Sequence, residues 1–315
     1  MQARKYEYRD VWMNGAIVPQ EQANVPIFTQ TAQRGANVYE GIRAYWNAEK
    51  QNLYIWKLDA HIKRLFQSMK IMRMTTPYTF DEYKQACIDW CRANAFREDV
   101  HFRLVVYLGD GGPNGVKMFK PGEIEFGAFI TGGPRPHKEA LENGKHFCVS
   151  SWRRISDDVM PPRVKAGANY QNSRLASIEA RTNGYDDAII LGRDGTVAEA
   201  TGSTIMIVRD GDLITSPVTG GILESITRKA VLKMFERSHN REPQERPVDR
   251  TEIYIADEVF CCGSAEEVTP IISVDRIEIG DGKPGPITRR LQGIYFEAAR
   301  GMSPDYVPEL TPVYA

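Results

Sequence analysis

Between residues 188 and 216 the chain alternates short apolar runs with Asp-Gly pairs. Residues 188–191, 197–200, 205–208 and 213–216 are each of strand length, and Asp194-Gly195 and Asp210-Gly211 stand between them. Glycine takes the positive φ that a two-residue hairpin turn demands, so period-2 runs joined by Asp-Gly read as hairpins. The second half of the chain is therefore expected to hold a barrel-like antiparallel sheet.

The first third has a different texture. Asn14-Gly15 sits inside the strand pair 11–18, and residues 52–57 alternate as a strand. Residues 60–72 read as an amphipathic helix, with Ile62, Leu65, Phe66 and Met69 on one face. Residues 80–94 give a second helix, and 102–107 and 124–130 are apolar strands. The glycine-rich stretch 109–115 between those strands is a loop built to bend. Residues 131–136 (Thr-Gly-Gly-Pro-Arg-Pro) break every regular pattern. That places a small α/β domain at 1–131, a connector at 132–139 and a larger domain at 140–315. In the larger domain, 147–152 is a strand, 172–182 and 226–238 are helices, and 303–315, which contains proline, reads as irregular.

Composition limits the partners. Forty Lys and Arg against 41 Asp and Glu leave a formal charge of -1, which favours neither nucleic acid nor an acidic membrane as a partner. No apolar run is long enough to span a bilayer, and the polar start does not read as a signal peptide. Five cysteines without a CxxC pair argue against a disulfide framework and a zinc site, and for reduced thiols in the cytoplasm.

Four local features could carry chemistry. Lys165 is crowded by Val164, Ala166 and Gly167, where desolvation would give a neutral, nucleophilic amine. Most lysines are solvated surface residues, and alone this one would be read so. Glu199 stands among small residues at the end of a strand, as a solvated turn residue or as the anionic partner of a protonated ring nitrogen. Gly220-Gly221 precede a helix whose first turn holds Ser225 and Thr227, as an ordinary cap or as a phosphate cradle. Gly263-Ser264-Ala265 is a plain turn or a second anion nest.

In order and spacing, residues 165–170, 199–203, 221–228 and 256–265 resemble the successive motifs of class IV aminotransferases. Residues 38–43 (Val-Tyr-Glu-Gly-Ile-Arg), 61–65 and Ser151-Trp152 resemble the branched-chain aminotransferase branch. The resemblance runs from about residue 11 to 295. It implies the two-domain, fold type IV architecture (α/β and α+β), with pyridoxal 5'-phosphate between the domains and no metal.

The resemblance also implies roles. Lys165 would hold the cofactor covalently and shuttle the proton between the substrate α-carbon and the cofactor. Glu199 would pair with the ring nitrogen, Tyr170 would hydrogen-bond the phenolic oxygen, and Leu223 would pack on the ring. Arg64, Ile226, Thr227 and Ser264 would hold the phosphate. Tyr39, Gly41, Arg43, Gly263 and Ala265 would line the substrate site, and Arg103 would take the distal carboxylate of glutamate or 2-oxoglutarate. Two positions depart from the family: Arg34 stands where an aromatic residue is usual, and His101 where a tyrosine is usual; both are carried as substrate-site candidates.

The implied activity is ping-pong transfer of an amino group between a branched-chain or other hydrophobic L-amino acid and 2-oxoglutarate. Amino acids and 2-oxo acids would be its small-molecule partners, and the enzyme a homodimer or higher homo-oligomer. The alternatives on the same fold are a D-amino-acid or (R)-amine transaminase, and an aminodeoxychorismate lyase.

Overall fold

The computed structural model describes residues 9–120, 122–135 and 139–314. The chain divides into two compact units. The first takes in Met1–Pro136, Val164–Ala168 and Ala298–Ala315, and the second His137–Arg163 and Asn169–Glu297.

The first unit opens with β1 (Val11–Met13) and β2 (Ala16–Val18), turning through Asn14 and Gly15 as the hairpin signal requires. Then come α1 (Gln30–Arg34), β3 (Asn37–Asn47), β4 (Asn52–Trp56), α2 (Leu58–Ile71), α3 (Phe80–Ala93), β5 (Val100–Leu108) and β6 (Phe126–Pro134). A 3-10 segment, Pro113–Phe119, lies within the β5–β6 connection. Thr79 and Glu82 form a reciprocal capping box that fixes the start of α3. The sheet order is β16-β4-β3-β5-β6-β1-β2, where β16 is Leu310–Pro312. All its described pairings are antiparallel. Trp90 of α3 packs its ring 5.2 Å from those of Phe96 and Phe102 in the core under β5.

Two expectations are corrected here. Residues 310–312, read as irregular, form β16 against β4, because Val313 and its neighbours bury against that edge. Gly132–Pro134, read as the start of the connector, continue β6, since Val100–Phe102 supply a partner for each of them. Residues 136–138 of the expected connector lie outside the described residues.

The second unit contains α4 (Ala140–Asn143), β7 (Lys145–Arg153), α5 (Tyr170–Thr182), β8 (Asp187–Leu191), β9 (Val197–Ala200), β10 (Thr204–Arg209) and β11 (Asp212–Thr215). It continues with α6 (Ile226–His239), β12 (Gln244–Glu245), α7 (Arg250–Tyr254), β13 (Glu258–Gly263), β14 (Glu267–Val274), β15 (Ile277–Glu278) and α8 (Pro286–Ala299), whose last two residues belong to the first unit. The path β12-β11-β10-β13-β14-β7-β8-β9 curls around one apolar core. Phe147, Ile189, Val197, Ile205, Ile214, Val259 and Ile271, from seven of its strands, share that core. The sheet is barrel-like as expected, and it is mixed. The β10–β11, β13–β14 and β8–β9 pairs are antiparallel, while β7 runs parallel to β8 and β14. The β7–β8 pair is parallel because α5 provides the crossover that two-residue turns cannot.

Candidate active site

In the first unit, β3 sorts the candidate residues by its pleat. Alternation sends Tyr39, Gly41 and Arg43 to one face and Glu40, Ile42 and Ala44 to the other. Across the ladder, Arg43 faces His101 and Gly41 faces Arg103, so the five candidates on these strands share one face. Gly41 has a steric reason: a Cβ there would begin 3.2 Å from His101 Nε2. Arg43 is buried, His101 half-buried and Arg103 exposed, its guanidinium 5.5 Å from the centre of the Tyr39 ring.

Lys165 joins the same unit. Its carbonyl accepts from Tyr39 N–H at 2.9 Å, its N–H donates to Ser68 Oγ at 3.4 Å, and Ala166 bridges to Val38. Gly167 N–H donates to the Asn37 carbonyl at 3.2 Å, and a Cβ on Gly167 would sit 2.6 Å from Asn37 Oδ1. The small residues after Lys165 thus let its backbone lie against β3, and Nζ comes to 5.0 Å from the Tyr39 ring centre.

Arg64 lies on α2 and is buried. Its Nε donates to Glu40 Oε1 at 2.8 Å and its Nη2 to Oε2 at 2.6 Å, and Oε2 also accepts from His61 Nδ1 at 2.7 Å. Burial pushes the Glu40 carboxyl up, but the Arg64 charge and the hydrogen bonds from Arg64 and His61 outweigh it and hold the pKa at about 2. Burial also lowers the His61 pKa, against the pull of Glu40, so the imidazole is neutral.

In the second unit, Glu199 is the penultimate residue of β9, at 7% exposure. Arg154 Nη2 donates to Oε1 at 2.6 Å, and Leu223 N–H donates to Oε2 at 3.0 Å. Leu223 and Ile226–Thr227 flank Ser225, which caps α6 by accepting from Arg228 N–H. The first N–H groups of such a helix have no intrahelical acceptor and suit an anion. Thr204 pairs with Cys262, which sets the 201–203 turn beside the turn of Ser264 and Ala265 after Gly263. Thr269 Oγ1 donates to the Glu266 carbonyl at 2.6 Å, and Lys145 pairs with the Glu266 carboxylate at 2.7 Å, bracing that turn. Tyr170 is the first residue of α5.

The candidates are thus distributed between units: Lys165, Arg64, Tyr39, Gly41, Arg43, His101 and Arg103 in the first, and Tyr170, Glu199, Leu223, Ile226, Thr227, Gly263, Ser264 and Ala265 in the second. Arg34, exposed at the end of α1, donates to Gln30 Oε1 and approaches Met118 Sδ at 3.2 Å, so it turns toward the 113–119 segment. Sequence reasoning missed Arg154 and the Glu40–His61 pair. Nothing local marks Arg154, whose carboxylate partner is far along the chain. Glu40 carried a signal: it is the one carboxylate in β3, flanked by Val38, Tyr39 and Ile42.

The sequence model of a family described as amino-transferase class IV matches residues 37–274. A probable branched-chain-amino-acid aminotransferase of Aquifex aeolicus is 40% identical over 305 residues, 96% of each chain. The branched-chain amino acid aminotransferase of Thermobaculum terrenum, solved in its PLP form, superposes with a TM-score of 0.91 at 44% identity, covering 98% of this chain and 99% of that one. The branched-chain aminotransferase of the thermophilic archaeon Thermoproteus uzoniensis, solved with norvaline, gives a TM-score of 0.91 at 38% identity, covering 98% of this chain and 100% of that one.

Proposed function

Because this chain belongs to the class IV aminotransferases, we propose that it is a pyridoxal-phosphate-dependent branched-chain aminotransferase using 2-oxoglutarate as nitrogen acceptor in a ping-pong cycle. The observation that carries this is Glu199. An ionised carboxylate is costly to bury unless paired, and here Arg154 and the Leu223 N–H hold it in place. That is the environment a protonated pyridine needs in its partner. The relatives' names supply the branched-chain substrate.

The donor set fits the cofactor. A primary amine at Lys165, a buried guanidinium at Arg64 and a hydroxyl-bearing helix start at Thr227 match its aldehyde, phosphate and anionic oxygens. When bound, the cofactor supplies an electron sink for the substrate α-carbon. Lys165 Nζ would take the proton from the substrate α-carbon and deliver it to the aldehyde-derived carbon of the cofactor. Arg103 holds the distal carboxylate of glutamate or 2-oxoglutarate, and Gly41 leaves room for the substrate side chain beside His101.

Homodimer formation belongs to the same reading. It is supported by Ile27, Phe28, Val116 and Phe119, all exposed on segments joined by the Thr29–Asp110 bridge. A cytoplasmic location is part of the same reading, supported by five buried cysteines that form no disulfide.

The test is 2-oxoglutarate-dependent loss of L-leucine with formation of glutamate. A panel of D-amino acids, (R)-amines and aminodeoxychorismate runs beside it. Pyruvate release from aminodeoxychorismate without glutamate formation would replace this reading with the lyase.

A further inference from the structure

Glu40 is wholly buried on the α2 side of β3, away from the face of Tyr39, Gly41 and Arg43. It takes Arg64 side-on, through both Nε and Nη2, and its second oxygen is also held by His61. A lone guanidinium at the end of a flexible side chain loses several torsions when an anion fixes it. A two-point fork fixes its plane beforehand, and a third hydrogen bond on the carboxylate stops the fork itself from turning.

We propose that Glu40 is a positioning residue that sets the plane of the Arg64 guanidinium for the cofactor phosphate, with His61 as the latch on Glu40. This rests on the pyridoxal-phosphate reading above. His61 is suited to the latch because it is neutral: it donates one hydrogen bond to Glu40 and adds no charge beside Arg64. The same α2 also receives Lys165 N–H through Ser68, so one helix orients the guanidinium and seats the lysine.

The competing role for Glu40 is neutralisation of a buried arginine for folding alone. The two roles separate when apo-protein of the full chain is titrated with pyridoxal 5'-phosphate and with pyridoxal, which lacks the phosphate. Glu40→Gln is expected to weaken the phosphorylated ligand about tenfold and pyridoxal less than about twofold, the scale of one disturbed charge-assisted contact. Arg64→Met shows the same selectivity, and the Glu40→Gln/Arg64→Met double variant, which leaves no lone buried charge, is no worse than Arg64→Met.

Equal losses for both ligands in Glu40→Gln, or additive losses in the double variant, overturn the proposal. So does Arg64→Met keeping the wild-type preference for the phosphate. If Glu40→Gln does not yield folded protein, Glu40→Asp keeps the charge and withdraws it by one methylene. A retained phosphate preference in that variant overturns the proposal too. A wild-type chain that takes up neither ligand fails the pyridoxal-phosphate reading itself, a result distinct from all of these.

Discussion

Arg154 Nη2 lies 2.6 Å from Glu199 Oε1, and the two side chains are buried together in the second unit. Removing one member of such a pair strands the other. Arg154→Met is expected to destabilise the protein by about 3–5 kcal/mol. Urea unfolding measures this. The Glu199→Gln/Arg154→Met double variant should be the more stable of the two, and a double variant less stable than Arg154→Met would refute the pairing.

Glu199→Gln keeps the shape of the side chain and removes its charge. Turnover should fall about 100-fold, close to 3 kcal/mol of transition-state stabilisation, while cofactor affinity changes far less. Steady-state rates and a cofactor titration read the two quantities separately. A near-normal rate would remove Glu199 from the ring-nitrogen role.

Borohydride treatment of the purified yellow protein should leave the cofactor on the peptide that contains Lys165, found by mass spectrometry. Lys165→Ala should show neither the adduct nor turnover. A trapped adduct on any other lysine would reassign the nucleophile.

Acid should unfold the protein partly through Glu40. Its folded pKa of about 2 is below its ordinary 4.5, so the folded state favours the carboxylate. The stability this contributes is complete above about pH 4.5 and declines as pH falls toward 2. Denaturation midpoints measured across that window should drop for the wild type and drop less steeply for Glu40→Gln. Identical slopes would contradict the assignment.

Glu258 of β13 caps α8: its Oε1 accepts from Ile287 N–H at 2.9 Å, and its Oε2 from Thr288 N–H and Oγ1, each at 2.7 Å. Glu258→Gln should cost about 1–2 kcal/mol of stability through the lost cap and its charge at a helix N-terminus. Chemical denaturation should register that loss while kcat stays within error.

Helices α2, α3, α5 and α6 are readable from the sequence because each keeps a buried stripe at helical spacing or a capped start. The 11-residue β3 lacks a clean alternation because both of its faces are largely buried, so its pleat cannot be inferred. β16 is hidden by its proline, Pro312, which an edge strand tolerates. Lys165 and Glu199 are visible through their small neighbours, and the structure gives those neighbours a purpose, as with Gly167 against Asn37. Arg64 is reached only through the family resemblance, and neither Arg154 nor the meeting of Glu40, His61 and Arg64 is visible, since each contact depends on side chains from separate elements.

The first unit is discontinuous: Val164–Ala168 and the tail that carries β16 come after long stretches of the second unit. A ribosome adds about 5–20 residues per second, so β4 waits on the order of ten seconds or more for its partner strand. During that interval the edge of β4 has no neighbour on that side, and the bed for Lys165 on β3 is made before the lysine arrives. Assembly therefore cannot proceed domain by domain in the order of synthesis. The nascent chain has an exposed strand edge that a chaperone or a second nascent copy can reach.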